Sequence, residues 1–342
     1  MTDTEDPKRE DDPAIANLLR ASGKREQPSS DLERHVRAAV HAEWRATVAR
    51  RNGFRQRIWI AAAASVLLLV SGLWFNQTQM VMPGPVVASV ERIAGGVSAG
   101  EPSTAPWIMG NRWKSVRAQQ QLRTHEILRT GEDGRAAIKV ASISLRLDHD
   151  TRIVFVAPDR IEVFRGAVYV DSGNPRTQSS AEKQLSLDTP AGAVRHLGTQ
   201  YEVRVLSVGT RIKVREGRVE FSGDSGTKEQ LAAGEQLTVA ADGTHTRSTS
   251  VPHGADWSWT VDVAPPLDIE GRPLAQFLEW VARETGRRLV FVDPRAEEEA
   301  VAAVLHGSVA GLRPDEALEA VLPTTRLRGR VADGEILIDM PL

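Results

Sequence analysis

The sequence predicts a single-pass membrane protein. It would have a short all-α cytoplasmic stub, one transmembrane helix, an all-β periplasmic domain of sandwich or solenoid-like form, and a small α+β domain at the C-terminal end. Three observations carry this. A block without a charge, Ile58 to Phe75, interrupts an otherwise hydrophilic chain. Short runs rich in Val and Ile, broken by Gly, Asp and Asn, fill the stretch from about Val86 to Ser250. Beyond Pro265, helical periodicity alternates with strand-like runs. The expected divisions are 1–57, 58–75, 86–250 and 265–342.

Composition narrows the function classes. The net charge of −2 over 342 residues gives no nucleic-acid signature, so no direct nucleic-acid contact is expected. There is no cysteine, which excludes disulfides, thiolate metal sites and Cys nucleophiles.

In the stub, "DDPAIANLLRAS" offers Asp12 as N-cap and Pro13 at the first helical position, with Ile15, Leu18 and Leu19 as an apolar edge. "PSSDLERHVRAAVHAEWRATV" opens with a capping box, Ser30 to Glu33. Leu32, Val36, Val40, Trp44 and Val48 then recur every four residues as one apolar stripe. Two readings stay open: a helix resting on the bilayer with its arginines at the headgroups, or a helical clamp that completes its core on a partner protein.

Ile58 to Phe75 is eighteen residues, about 27 Å as a helix and close to the ~30 Å hydrocarbon core of a bilayer. Trp59 and Trp74 sit where amphipathic rings favour the interface. Arg45, Arg50, Arg51, Arg55 and Arg57 precede the block, and the first charges beyond it are Glu91 and Arg92. Positive-inside reasoning then places the N-terminus in the cytoplasm and everything after Phe75 outside it.

The β region contains an echo: "VFRGAVYV" at 163–170 and "VREGRVEF" at 214–221 share strand, glycine, strand. Such repetition suggests stacked β-layers. No enzyme chemistry emerges. The eight histidines show no metal-ligand spacing, and "RTGEDGR" and "GVSAG" lack the Lys-Ser or Lys-Thr of a phosphate loop. No cofactor and no metal are expected.

"HGADWSWTVDVAPP" reads as a linker whose Trp257 and Trp259 pack against a domain edge. After it, "PLDIEG" is expected as a strand and "RPLAQFLEWVARETG" as an amphipathic helix ending at Gly286. "RRLVFVD" and "AVLHGSVAGL" follow as strands, and "RPDEALEAVLPTT" as a helix. "TRLRGRV" and "EILIDM" close the unit as a hairpin around Asp333-Gly334. Glu335–Asp339 is expected to offer an exposed strand edge for a partner.

Two resemblances follow from these residues. "TPAGAVRHLGTQYEVRV" (189–205), followed by "VREGRVEF" and preceded by "LRLDHDTRIVF" and "RGAVYVD", resembles the periplasmic domain of FecR-type anti-sigma regulators over roughly Leu128 to Val239. Leu267 to Ile338 resembles the short N-terminal domain shared by secretins and TonB-dependent transducers, an interaction fold without catalytic residues. The first resemblance implies that the stub binds an extracytoplasmic-function sigma factor, with Leu32, Val36, Val40 and Trp44 as the meeting stripe. It also implies that the exterior receives a signal from the periplasmic signalling domain of an outer-membrane TonB-dependent transporter. The alternative is a structural periplasmic protein, anchored in the inner membrane, that docks to a secretin or envelope complex; an enzyme of envelope polysaccharide comes third.

The same resemblance bears on "HLGTQYEV". Some relatives cut themselves between Gly and Thr at this motif, which would make Gly198 and Thr199 the site of a single-turnover self-cleavage rather than of turnover on a substrate. Strand alternation puts His196 on the opposite face from Thr199, so it is not nominated as the base.

Overall fold

The computed structural model describes residues 17, 20, 21, 23, 29–40, 42, 43, 84–100, 113–173, 184–196, 198–223 and 226–341. The chain divides into two units, Met1–Val81 and Met82–Leu342.

In the first unit, residues 17, 20 and 21 are helical, and residues 30–40, 42 and 43 are helical as α1. Its first hydrogen bonds run from the Leu32 and Glu33 amides to the Ser29 carbonyl, so the helix is entered at Ser29, one residue before the expected cap. Among the described residues no helix is long and apolar enough to cross a membrane. The expected span, 58–75, lies outside the described residues. The fold class is corrected on this point: the described chain is mostly β, no described helix near the N-terminus is long and apolar enough to span a bilayer, and a single-pass arrangement is not supported.

The second unit begins with β1 (Val86–Ala94), β2 (Val97–Gly100), β3 (Lys114–Ser115), β4 (Gln121–Arg123), β5 (Ile127–Thr130) and β6 (Arg135–Val140). Next come β7 (Ile143–Leu147), β8 (Arg152–Ala157), the long β9 (Arg160–Asp171), β10 (Ser186–Thr189) and β11 (Gly192–His196). The series ends with β12 (Gln200–Leu206), β13 (Gly209–Glu216), β14 (Arg218–Gly223), β15 (Lys228–Ala232), β16 (Glu235–Ala240) and β17 (His245–Thr249). They make two sheets. The first runs β4-β1-β6-β7-β9-β12-β13-β16-β17, every pair antiparallel. The second runs β3-β2-β5-β8-β9-β10-β11-β14-β15, antiparallel except for β9 with β10. Side chains of both enclose one core, with Leu145, Val168, Tyr201 and Ile212 from the first sheet and Phe155, Ile161, Val194 and Phe221 from the second.

β9 belongs to both sheets. Arg160–Arg165 pairs with β8, and Gly166–Asp171 pairs with β12. The change of sheet falls at Gly166, whose φ is 84°. Gly217, with φ 79°, takes the chain back from β13 in the first sheet to β14 in the second. The echo in the sequence is therefore two strand crossings between layers, each made at a glycine that tolerates left-handed backbone.

The C-terminal part is built from α2 (Ser258–Asp262), α3 (Leu274–Thr285), β18 (Arg288–Phe291), α4 (Pro294–Ala302), α5 (Pro314–Val321), β19 (Arg328–Ala332) and β20 (Glu335–Asp339). Leu274, Phe277, Leu278 and Val281 of α3 meet Leu318, Ile336 and Ile338 in a second core. Two expected strands are absent: "PLDIEG" is not a strand, and "AVLHGSVAGL" contributes one bridge, Pro273 to Val304. Helix α4 stands instead, capped by the Asp293 side chain on the Arg295 amide, with Pro294 at its first position. The strand order is β18-β20-β19. Glu335–Asp339 is thus the centre strand, hydrogen-bonded on both sides, and not the exposed edge expected of it. The β19–β20 hairpin turns at Asp333 and Gly334, both at positive φ (48° and 80°), as a type I′ turn requires.

Candidate functional site

Alternation fixes what the outer face of the first sheet carries. Leu145, Val168, Val170, Val203 and Ile212 point into the core, so Arg146, Tyr169, Glu202 and Lys213 point the other way. Register places these four side by side: Arg146 opposite Tyr169, Tyr169 opposite Glu202, Glu202 opposite Lys213. A half-covered antiparallel sheet would leave such a row in water. Here none of the four is more than 1 % exposed.

The cover is the tryptophan-bearing segment and α3. Arg146 donates to the Thr260 carbonyl (2.8 Å) and to the Glu284 carboxylate. Trp259 Nε1 donates to Glu202 (3.0 Å), and Lys213 Nζ lies 3.4 Å from the same carboxylate and 4.5 Å from the Trp257 ring centre. Arg215 donates to Tyr169 Oη and to the Glu284 carbonyl, both at 3.3 Å, and its guanidinium sits over Trp257. The two tryptophans thus pack on a sheet face, with Ala167 and Tyr169, rather than on an edge. At the end of α3, Arg283 binds Asp171 and, at 2.9 Å, Glu216.

Burial sets the charges at odds with one another. It pushes the Glu284 carboxyl above its ordinary value, with Arg146 pulling against it. It holds the Lys213 ammonium below the lysine value despite Glu202, and lifts the Tyr169 phenol to about 12. Asp171 ends below its ordinary value: burial raises it, and Arg283 and Arg146 outweigh that. Buried ion pairs of this kind contribute little net stability, because desolvation offsets most of the attraction, but removing one partner is expensive. The seam therefore fixes a geometry more than it adds stability. Its chemistry is that of a joint, and among the described residues no group of three or more His, Asp or Glu side chains could hold a metal ion.

Gly198 and Thr199 enter β12 beside this seam. Gly198 has φ 85°, and Thr199 is 2 % exposed. The Thr199 amide donates to Ser172 Oγ (2.8 Å), while the Ser172 amide and hydroxyl both donate to the Thr199 carbonyl. Thr199 Oγ1 is buried and has no hydrogen-bond partner among the described residues. Sequence reasoning missed Ser172, whose only signal was its place at the end of a strand.

The sigma-stripe residues fall in the other unit. Leu32, Val36 and Val40 lie on α1 and are 55–62 % exposed; Trp44 lies outside the described residues. Sequence reasoning also missed Arg146, Glu202, Lys213, Arg215, Arg283 and Glu284. The available signal was the pair of tryptophans in "DWSW", two large rings that need a surface to cover.

What fold and site define is a two-layer β domain carrying a docked α+β module. Residues 126–220 match the family model described as FecR protein. No curated protein matches the chain. Two crystal structures of a candidate anti-sigma factor from Parabacteroides distasonis match at 16 % identity and a TM-score of 0.33, over 63 % of this chain and 99 % of that one. That is too loose a likeness to carry the fold.

Proposed function

We propose that this chain is a FecR-type anti-sigma regulator, in which α1 binds an extracytoplasmic-function sigma factor and the second unit receives a signal from the signalling domain of an outer-membrane TonB-dependent transporter. The observation that carries this reading is the FecR match over residues 126–220. The exposed stripe Leu32, Val36 and Val40 supports it, since apolar side chains repeated along one helix face are what a groove-binding helix presents. Burying each on a partner would contribute about 1.5–3 kcal/mol. Replacing Val36 and Val40 by Asp in the full chain should abolish co-purification with the sigma factor. Unchanged retention would remove α1 from the interface.

A second reading concerns Gly198-Thr199, and three features favour it: the positive φ of Gly198, the Thr199 hydroxyl without a hydrogen-bond partner among the described residues, and the Ser172 hydroxyl on the amide between them. The Thr199 hydroxyl attacks the Gly198 carbonyl carbon. The C–O bond forms as the C–N bond breaks, and the hydroxyl proton passes to the departing nitrogen. Water then cleaves the ester, giving the Gly198 carboxylate and a free Thr199 amine and hydroxyl. Intact mass of the purified chain decides it. A break at Gly198 that vanishes in Thr199→Ala is expected; an unbroken wild-type chain assigns the motif to folding.

A further inference from the structure

Arg283 joins the C-terminal module to two strands at once. It binds Asp171 at the end of β9 and Glu216 at the end of β13. Both acids are register partners of one residue, Gln200 on β12, and Gln200 Nε2 donates to Asp171 at 2.9 Å. Asp171, Gln200 and Glu216 therefore form a row across three strands, roughly 10 Å from end to end at two strand spacings, with a single guanidinium spanning it.

Each member of the row is chain neighbour to a group that touches the Gly198–Thr199 peptide. Ser172, after Asp171, accepts from the Thr199 amide at 2.8 Å and donates to its carbonyl at 3.2 Å. Gly217, after Glu216, lies so close to the Gly198 carbonyl that a Cβ there would fall 2.1 Å from its oxygen and 2.8 Å from Thr199 Cγ2. Gln200 follows Thr199 directly. The peptide is thus flanked by Ser172 and Gly217, each one step from the row that Arg283 holds, and is followed by Gln200 of the row itself. The adjacent Arg146–Glu284 pair fixes the end of α3 so that the fork arrives in register. Two carboxylates presented to one fork suit arginine, whose planar donors engage both at once; lysine offers a point charge.

We infer that Arg283 is a positioning residue for the Gly198–Thr199 peptide, through which the docked state of the C-terminal module controls how tightly that peptide is held. With Arg283 in place, β9, β12 and β13 keep their ends aligned and Ser172 stays on the Thr199 amide. When the module leaves, two carboxylates flank Gln200 without their cation, and the strand ends carrying Ser172 and Gly217 loosen. The inference bears on the regulation of the cleavage reading above and rests on it only for its biological use; the clamp itself is a statement about local opening.

Hydrogen exchange at the Thr199 amide of the full chain tests it, with Arg283→Ala, Arg283→Lys and Glu216→Gln compared to wild type. Thr199 should exchange about ten- to a hundredfold faster in Arg283→Ala, the range expected when a charge-assisted hydrogen bond is lost. The increase should be smaller in the other two variants, and the Leu237 amide on β16 should be unchanged in all of them. Unchanged exchange at Thr199, or an increase matched at Leu237, would overturn the clamp. If Arg283→Ala does not fold, Glu216→Gln decides, because its side chain is 46 % exposed and its loss leaves the core intact. An unbroken wild-type mass would reject cleavage and leave the exchange comparison to judge the clamp.

Discussion

Asp171 shows how one side chain can set an acid limit for the unit. Its carboxyl sits below the ordinary 3.8 because Arg283 and Arg146 outweigh the burial that would raise it. A depressed carboxyl contributes stability that is present above its unfolded value and is lost as pH falls through the folded one. Asp148, held down against burial by Arg204 and Arg135, acts in the same direction. Glu284, raised by burial, acts in the opposite one: its contribution is present below 4.5 and is lost as pH rises through its folded value. Stability should therefore fall as pH drops below about 4, the ordinary carboxylate range, and Asp171→Asn should flatten that fall. Denaturant midpoints measured from pH 3 to 6 check it, roughly the span of carboxyl titration. The strand charges among these were visible in the sequence as polar alternates, Arg146 and Asp148 in "LRLDHD" and Arg204 in "YEVRV". Their burial was not, because alternation reports two faces and cannot say that a helix far downstream will cover the second.

Helix α3 was legible at both ends, from Pro273 before it to Gly286 after it, and its apolar positions form the second core as the spacing requires. The role of Gly286 beyond capping was hidden. At φ 66° it lets the chain leave the helix, and its bare Cα also faces the linker: a Cβ would fall 2.1 Å from the Pro252 carbonyl oxygen and 2.7 Å from Arg215 Nε. Gly271 has a similar φ of 70° but nothing within 4 Å. Gly271→Ala should thus cost only the left-handed penalty of about 1–2 kcal/mol. Gly286→Ala should cost that plus an overpacking strain of about 1–3 kcal/mol. Equal losses by chemical denaturation would show that the linker yields. Helix α4 went unread although "DPRAEEEA" carries a cap, a first-turn proline and strong helix formers, because the valines of the following "AVLHGSVAGL" were weighed as strand.

Across the whole molecule, the periodic signals were the readable ones. The two-residue period gave the strands, and the repeated glycine, read as layering, proved to be where the chain changes layer. The four-residue period placed Leu32, Val36 and Val40 on one helix. Since all three are exposed, the Val36→Asp, Val40→Asp chain should unfold at the wild-type denaturant midpoint, within about 0.5 kcal/mol, while losing its partner. A matching loss of stability would instead make the stripe part of an internal core. Hydropathy, by contrast, assigned the class of the molecule from 58–75, and that class did not survive.

β9 serves both sheets, and this has a mechanical consequence. A tug on the C-terminal module through Arg283 enters the β domain at Asp171, the last residue of that strand. Ladder hydrogen bonds run across antiparallel strands, so a pull along β9 strains its bonds to β7 and β12 together, whereas a pull across the sheet would open them one at a time. The tension then continues past Gly166 into the second sheet, where β8 and β10 grip the same strand. A chain so threaded gives way first at its attachment, the ionic fork of Arg283, and leaves the two layers whole.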